Sequence, residues 1–206
     1  MSIVPTQEIR KLLADKKLRV DPLIDKKQIS DSTIDIRLGT VFLFFRKEFL
    51  SVIDPCFPID PLSEQYYFKK PGEPIVIHPN DFVLGTSLEY IALPDNILAS
   101  VEGRSSWGRL GLFIATATTI NPGYRGVITL EIVNSGTVPI HLYPGVRIAQ
   151  LVLNYLEGKK RDESPYSIKP GAKFLGSLKP VFNKICSDPD WEIIRKQRAS
   201  DGSRKM

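Results

Sequence analysis

Asn121-Pro122-Gly123-Tyr124-Arg125-Gly126-Val127-Ile128-Thr129-Leu130-Glu131-Ile132-Val133-Asn134-Ser135-Gly136 reads as a strand clamped between two turns. Asn-Pro-Gly and Asn-Ser-Gly are turn-forming sets: proline presets φ, glycine tolerates positive φ, and asparagine bonds to nearby backbone. Between them Val127–Asn134 reads as a strand, in which successive side chains point to opposite faces. Val127, Thr129, Glu131 and Val133 share one face, and Ile128, Leu130 and Ile132 share the other. Both faces are largely apolar, which predicts a buried strand with a carboxylate in its middle. Such a group is expensive unless paired. Burial would raise the Glu131 pKa toward the range of a general base, and a nearby arginine would pull it down. A glutamate on a partly wet strand face is the competing interpretation.

The same grammar repeats along the chain. Apolar or alternating stretches at Thr33–Leu38, Thr40–Arg46, Tyr66–Lys69, Ile75–His78, Phe82–Ala92, Ile97–Glu102, Leu112–Thr118, Val138–Leu142 and Arg147–Leu156 predict strands. They are separated by Pro79-Asn80-Asp81, Pro94-Asp95-Asn96 and Pro144-Gly145. Many short strands at this spacing predict an all-β sandwich or barrel, jelly rolls included. Thr6 is placed as the N-cap of one amphipathic helix over 6–15, carried by Ile9, Leu12 and Leu13. Lys159–Lys179 turns polar and Pro/Gly-bearing and reads as an irregular C-terminal arm. Asp188-Pro189 offers a cap and an N1 proline for a short helix carrying Trp191, Ile193 and Ile194, and Arg195–Met206 is expected to fray. With 206 residues and no internal repeat, the organisation expected is one β domain with its N-terminal helix over 1–158, and an arm and tail over 159–206.

Composition narrows the chemistry. Hydrophobic residues at 42% and charged residues at 25% exclude wholesale disorder and a collagen-like fibre. Two cysteines, Cys56 and Cys186, without CxxC spacing, and two histidines, His78 and His141, leave no basis for a zinc site within one chain. The longest apolar run, Val41–Phe45, is far too short to span a bilayer, and the N-terminus lacks a signal-peptide pattern. A soluble, cytoplasmic protein with no membrane partner is expected. The net charge of +5 is compatible with a polyanionic ligand but names none. The basic run Arg195-Lys196-Gln197-Arg198 has no accompanying aromatic platform, so no nucleic-acid partner is expected.

A second segment stands out, Val101-Glu102-Gly103-Arg104-Ser105-Ser106-Trp107-Gly108-Arg109-Leu110-Gly111-Leu112. Hydroxyls, backbone N–H groups and guanidinium forks are what bind phosphate oxygens. A basic turn with its arginines in solvent is the alternative.

Taken together, Arg104-Ser105-Ser106-x-x-Arg109-Leu110-Gly111-Leu112, Thr116-Ala117, Ile120-Asn121-Pro122-Gly123-Tyr124-x-Gly126-x-Ile128-Thr129-Leu130-Glu131 and Pro144-Gly145-x-x-Ile148-x-Gln150-Leu151 resemble the dCTP deaminase family of the trimeric dUTPase-like superfamily. Ser32–Gly39 is similar to that family's early strand, and Tyr166 with Ala172-Lys173-Phe174 to its C-terminal arm. The resemblance covers roughly residues 5–180. It implies a distorted jelly roll, or β-clip, assembled as a homotrimer with active sites at subunit interfaces. It further implies Glu131 as the base that activates water for attack on cytosine C4, with Ser105 and Arg109 positioning the water and the carboxylate. Arg104, Ser106, Trp107 and Gly108 would belong to the nucleotide-binding motif, with Thr116, Ala117, Asn121 and Tyr124 alongside. Thr129 and Leu130 would join Glu131 at the base edge, and Gln150, Tyr166, Lys173 and Ser177 would close over the nucleotide. Mg²⁺ would travel with the triphosphate, and no zinc would be used. The zinc deaminases need H-x-E and P-C-x-x-C, and this chain has neither.

Three departures from the family pattern stand out. Asn121 replaces an aspartate that aligns water in the dUTPases, and an amide is no base, though it still hydrogen-bonds a sugar hydroxyl. The stretch Phe113–Thr119 is one residue short and carries Ile114-Ala115 where a histidine is common. Ser177 replaces a glutamine. Asp35 is a possible second carboxylate, with a structural role in the sheet the favoured reading. The leading expectation is hydrolysis of dCTP to dUTP and ammonia, with dTTP as a candidate inhibitor. The alternatives are a dUTP diphosphatase or bifunctional enzyme giving dUMP and pyrophosphate, and a catalytically silent nucleotide-binding regulator.

Overall fold

Strands of three to eleven residues whose apolar positions alternate have one stable outlet, which is to pair and bury the apolar side. The computed structural model describes residues 2–45, 52–54, 64–115, 119–156, 176, 178–180 and 189–202. Its elements, in order, are β1 (Ser2–Ile3), α1 (Thr6–Ala14), β2 (Arg19–Asp21), a single 3₁₀ turn at Lys26–Gln28, β3 (Ile29–Ser30), β4 (Thr33–Arg37), β5 (Val41–Phe45), β6 (Glu64–Phe68), β7 (Ile75–Ile77), β8 (Phe82–Ala92), β9 (Ile97–Gly103), α2 (Ser105–Gly108), β10 (Leu112–Ile114), β11 (Thr119–Ile120), β12 (Arg125–Asn134), β13 (Ile140–Leu142), β14 (Arg147–Tyr155) and α3 (Pro189–Gly202). The all-β expectation holds.

One sheet runs β11-β9-β14-β4-β3, with β1 also on β14. The second runs β10-β12-β8-β5-β6, with β2 also on β8, and β13 pairs β7. All described pairings are antiparallel. The core is built from the inward faces of both sheets, with Ile34, Ile36, Ile148 and Leu153 from the first and Phe42, Val83, Leu130 and Ile132 from the second, all fully buried. Met1–Leu43 with Tyr66–Val181 form one compact unit, and Phe44–Gln65 with Phe182–Met206 a second. Among the described residues no helix is long and apolar enough to cross a membrane.

The turns are built as their residues require. In Asn121–Tyr124 the Tyr124 N–H donates to the Asn121 carbonyl at 3.1 Å, and Gly123 takes φ +77, the third-position conformation of a type II turn. Asn134 does more than punctuate. It is fully buried, its Nδ2 donates to the Ile77 and Val138 carbonyls at 2.9 Å each, and its Oδ1 accepts from the Gly136 N–H at 2.9 Å.

Several expectations change in detail. Thr6 is the first residue of α1 and not its cap. Pro5, extended at φ −65 and ψ 152, holds that position, and the Thr6 hydroxyl instead accepts the Ser32 N–H at 2.9 Å. The strand expected from Val138 begins at Ile140, because the Val138 carbonyl is already taken by Asn134. The strand expected over Leu112–Thr118 ends at Ile114. The C-terminal helix runs on through the segment expected to fray, to Gly202. β12 is buried on one face, not two: Ile128, Leu130 and Ile132 are buried, and Val127, Thr129, Glu131 and Val133 are half-exposed. β1, β2, β3 and β11 span two or three residues each, too few for a period to register. The arm expected over Lys159–Lys179 lies outside the described residues except at 176 and 178–179.

Candidate active site

Glu131 sits on β12, the strand next to the edge strand β10, on its half-exposed face. Its cross-strand neighbour on β8 is Leu84, itself buried, and Thr129 faces Thr86 in the next pair on that face. This apolar flank withdraws water from the carboxylate, and burial pushes its pKa above the usual glutamate value. The β8–β12 register slips between Val127 and Thr129. There the Ile128 N–H leaves the ladder and donates to Ser87 Oγ at 2.9 Å, and that hydroxyl donates to the Glu89 carbonyl at 2.7 Å. The irregularity lies immediately before Thr129–Glu131, a common way of re-aiming side chains beside a site. A row of exposed apolar side chains lies one pair further along the same face: Phe113, Val133 and Phe82 stand in register across β10, β12 and β8, with Phe113 52% and Phe82 44% exposed.

The second cluster follows β9. Arg104 is the extended residue that opens α2, and the Trp107 and Gly108 N–H groups both reach its carbonyl. Ser105, Ser106 and Arg109 are exposed and Arg104 is half-buried. Two bonds tie this turn to the start of β14: the Trp107 indole N–H donates to the Arg147 carbonyl at 2.9 Å, and the Arg104 N–H to the Ile148 carbonyl at 3.4 Å. Gly111 ends the segment at φ +86. A Cβ there would stand 2.8 Å from the Gly136 nitrogen, so the backbone after α2 meets the backbone after β12, and the Ser135 N–H donates to the Gly111 carbonyl at 2.8 Å.

The two clusters are therefore linked through backbone. Among the described residues, neither Ser105 nor Arg109 has a side-chain hydrogen bond or ion pair to Glu131. Asn121 is exposed at its turn. Tyr124 is buried, its hydroxyl donating to the Val127 carbonyl at 2.6 Å. Gln150, half-buried on β14, lies opposite Asp35 of β4 on one side and Glu102 of β9 on the other. Thr116, Ala117, Tyr166, Lys173 and Ser177 lie outside the described residues.

Two polar groupings were not anticipated from sequence. Asp35, buried within β4, accepts through one oxygen from both Arg104 and Arg147, and Arg147 also pairs with Asp25. Glu89, fully buried on β8, accepts from the Gln28 side chain at 3.0 Å and the Arg37 N–H at 2.9 Å. The available signal was a charged residue inside each apolar strand, but the partners lie 52 to 112 positions away in sequence. Among the described residues no three His, Cys, Asp or Glu side chains stand together as a metal site.

Residues 3–156 match the model of the dCTP deaminase-like family. A dCTP deaminase of Natronomonas pharaonis is 40% identical over 193 residues, covering 92% of this chain and 97% of that protein. A dUMP-forming dCTP deaminase of Dictyoglomus turgidum is 40% identical over 188 residues, covering 90% and 96%. The crystal structure of the 2′-deoxycytidine 5′-triphosphate deaminase of Agrobacterium tumefaciens aligns with a TM-score of 0.59 at 24% identity, over 78% of this chain and 50% of that one. At that identity it speaks to the all-β fold alone. Glu131, the Arg104–Arg109 turn and both sheets fall inside the matched span, and the chain belongs to the dCTP deaminase family.

Proposed function

We propose that this chain hydrolyses dCTP to dUTP and ammonia, with Glu131 as the general base. The observation that carries this is Glu131 itself, half-exposed and therefore reachable, yet desolvated enough that burial raises its pKa. A base tuned upward from the ordinary glutamate range takes a proton from water more readily. Water adds to cytosine C4 as its proton passes to Glu131. That proton goes to N3, so the addition is across the C4=N3 bond. The second proton, from the new C4 hydroxyl, passes by way of Glu131 to the amino nitrogen, and the C4–N bond breaks to release ammonia and leave the uracil carbonyl. Ser105 and Arg109 hold the water and the ionised carboxylate, and Arg104 with Ser106 takes phosphate oxygens.

The assembly is a homotrimer in which Ser105 and Arg109 of one subunit meet Glu131 of another. Their exposure within one chain supports this, as does the apolar row Phe82–Val133–Phe113 beside Glu131, since large exposed apolar patches mark association surfaces. The two hydroxyls, two guanidiniums and backbone amides of the turn suit phosphate oxygens rather than a cation. Mg²⁺ accordingly enters on the triphosphate, where it neutralises phosphate charge. The protein acts on the nucleotide pool in the cytoplasm.

A second reading adds cleavage of dUTP to dUMP and pyrophosphate, because relatives at the same identity carry both names. Asn121 weighs against it, as an exposed amide cannot take a proton from an attacking water. Chromatographic product analysis after incubation with dCTP, and separately dUTP, in the presence of Mg²⁺ decides. Accumulating dUTP and ammonia with dUTP itself untouched is the expected result. Release of dUMP and pyrophosphate would establish the second reading, and tight binding without turnover would mean a regulator.

A further inference from the structure

The nucleotide-binding turn is held from beneath by a chain of alternating charge. Asp25, at the cap of the Lys26–Gln28 turn, accepts the Lys27 N–H at 2.8 Å and pairs with Arg147 Nη2 at 3.1 Å. Arg147 Nη1 lies 3.1 Å from Asp35 Oδ2, and the same oxygen lies 3.1 Å from Arg104 Nη1. Four formal charges sum to zero across three connected pairs. Asp35 is the only member in contact with both arginines. Its side chain is 11% exposed, against 34% for Arg104 and 26% for Arg147.

Asp35 is also the fixed point. β4 is paired with β14, and the Asp35 carbonyl accepts from the Gln28 side chain at 3.1 Å, itself fully buried. Arg104 is a half-exposed residue at the mouth of a four-residue helix, with a long side chain that would otherwise sample many rotamers. A buried carboxylate that binds one edge of a guanidinium orients the plane of that group and leaves its other N–H donors for a ligand.

We propose that Asp35 is the positioning residue of the phosphate-binding turn: it holds the Arg104 guanidinium ready for the nucleotide, with Arg147 completing the clamp. Asp35 touches neither base nor phosphate and acts through Arg104. This inference rests on the reading of the Arg104–Arg109 turn as the nucleotide site. The gain from a preset side chain is in binding, because its ordering cost is met before the ligand arrives.

The test is steady-state kinetics and direct dCTP binding for wild type, Asp35→Asn, Asp35→Glu, Arg104→Lys and the double variant Asp35→Asn/Arg104→Lys. Asp35→Asn should raise KM and the dissociation constant about 10-fold or more, the scale of one charge-assisted hydrogen bond, with kcat within about twofold of wild type. Asp35→Glu, which keeps the charge one methylene further out, should fall between the two. The double variant should be no worse than Arg104→Lys alone by more than about twofold, as coupled residues are not additive. Unchanged affinity in Asp35→Asn, an equal fall in kcat, or fully additive losses would overturn the proposal. Should Asp35→Asn not fold, Asp35→Glu carries the test, and an unaltered KM there is the overturning result. Failure of the underlying reading is separately visible, because Arg104→Lys alone would then leave dCTP affinity unchanged.

Discussion

Glu89 and Glu131 lie on adjacent paired strands of one sheet, and in both burial pushes the carboxyl above its ordinary pKa. Their surroundings are otherwise opposite. Glu89 is sealed, with both oxygens occupied, one by the Gln28 amide and one by the Arg37 N–H, and the Arg37 charge nearby. Glu131 stands half-exposed between Leu84 and an apolar row at the surface. A raised pKa thus does not by itself separate the proposed base from a structural carboxylate; the difference between the two sites is access. Glu89 is fully buried and holds the Gln28 amide and the Arg37 N–H, while Glu131 keeps part of its side chain at the surface, as its proposed role requires.

The comparison breaks most visibly in rate. Glu131→Gln keeps the shape and removes the base, so turnover should fall by about 10²–10⁴-fold with dCTP still bound, because that is what a positioned base contributes. At a half-exposed site the substitution should move stability by less than about 1 kcal/mol. Kinetics and thermal unfolding on the same preparation check both halves. Wild-type turnover would remove Glu131 from the mechanism.

The next effect is on stability and belongs to Glu89. Glu89→Leu strips the Gln28 amide and the Arg37 N–H of their acceptor inside the core, and each buried donor left without an acceptor costs about 1–3 kcal/mol. Glu89→Gln keeps one acceptor but sets an amide N–H against a donor, for about 1–3 kcal/mol. Denaturant titration should rank wild type, Gln and Leu in that order of stability. A Leu variant as stable as wild type would mean the buried network contributes nothing.

The contrast also explains what could be read from the chain. Glu131 is visible because it is a lone carboxylate in a largely apolar strand whose flanking turns, Asn121-Pro122-Gly123 and Asn134-Ser135-Gly136, carry their own chemistry. The Arg104–Arg109 turn is visible because groups of the kind that bind phosphate crowd into six consecutive residues. Glu89 was hidden. Its two partners, Gln28 and Arg37, lie 61 and 52 positions away, and no local period encodes a long-range pair. The exposure of one β12 face is hidden for a related reason: Val127 and Val133 look like core residues in sequence. An apolar side chain facing outward in one chain is indistinguishable by pattern from one facing a core. Thr6 misled because a hydroxyl before a helix satisfies the capping rule, while its partner, the Ser32 N–H, comes from a turn 26 residues on.

The smallest effect is in pH and separates the two glutamates most finely. For a carboxyl whose pKa is higher folded than unfolded, the folded state binds more protons over the interval between the two values. Stability therefore falls as pH rises through that interval. The penalty is absent below the unfolded value of about 4.3 and fully present above the folded one. Relative to Glu89→Gln, which has no proton to exchange there, wild type should gain stability as pH is lowered through this window. The same difference measured against Glu131→Gln should have the same sign and a smaller size, because that carboxyl keeps part of its water. Activity runs the other way: the base must be ionised, so kcat/KM should fall on the acid side, with a midpoint above that of an ordinary glutamate. Stability curves of wild type and Glu89→Gln that stay parallel from about pH 4 to 8 would show that the sealed site does not raise its carboxyl. A rate profile flat over the same range would deny the role to Glu131. Because one glutamate should appear mainly in stability and the other mainly in rate, the two curves together test whether access, rather than burial, assigns the chemistry.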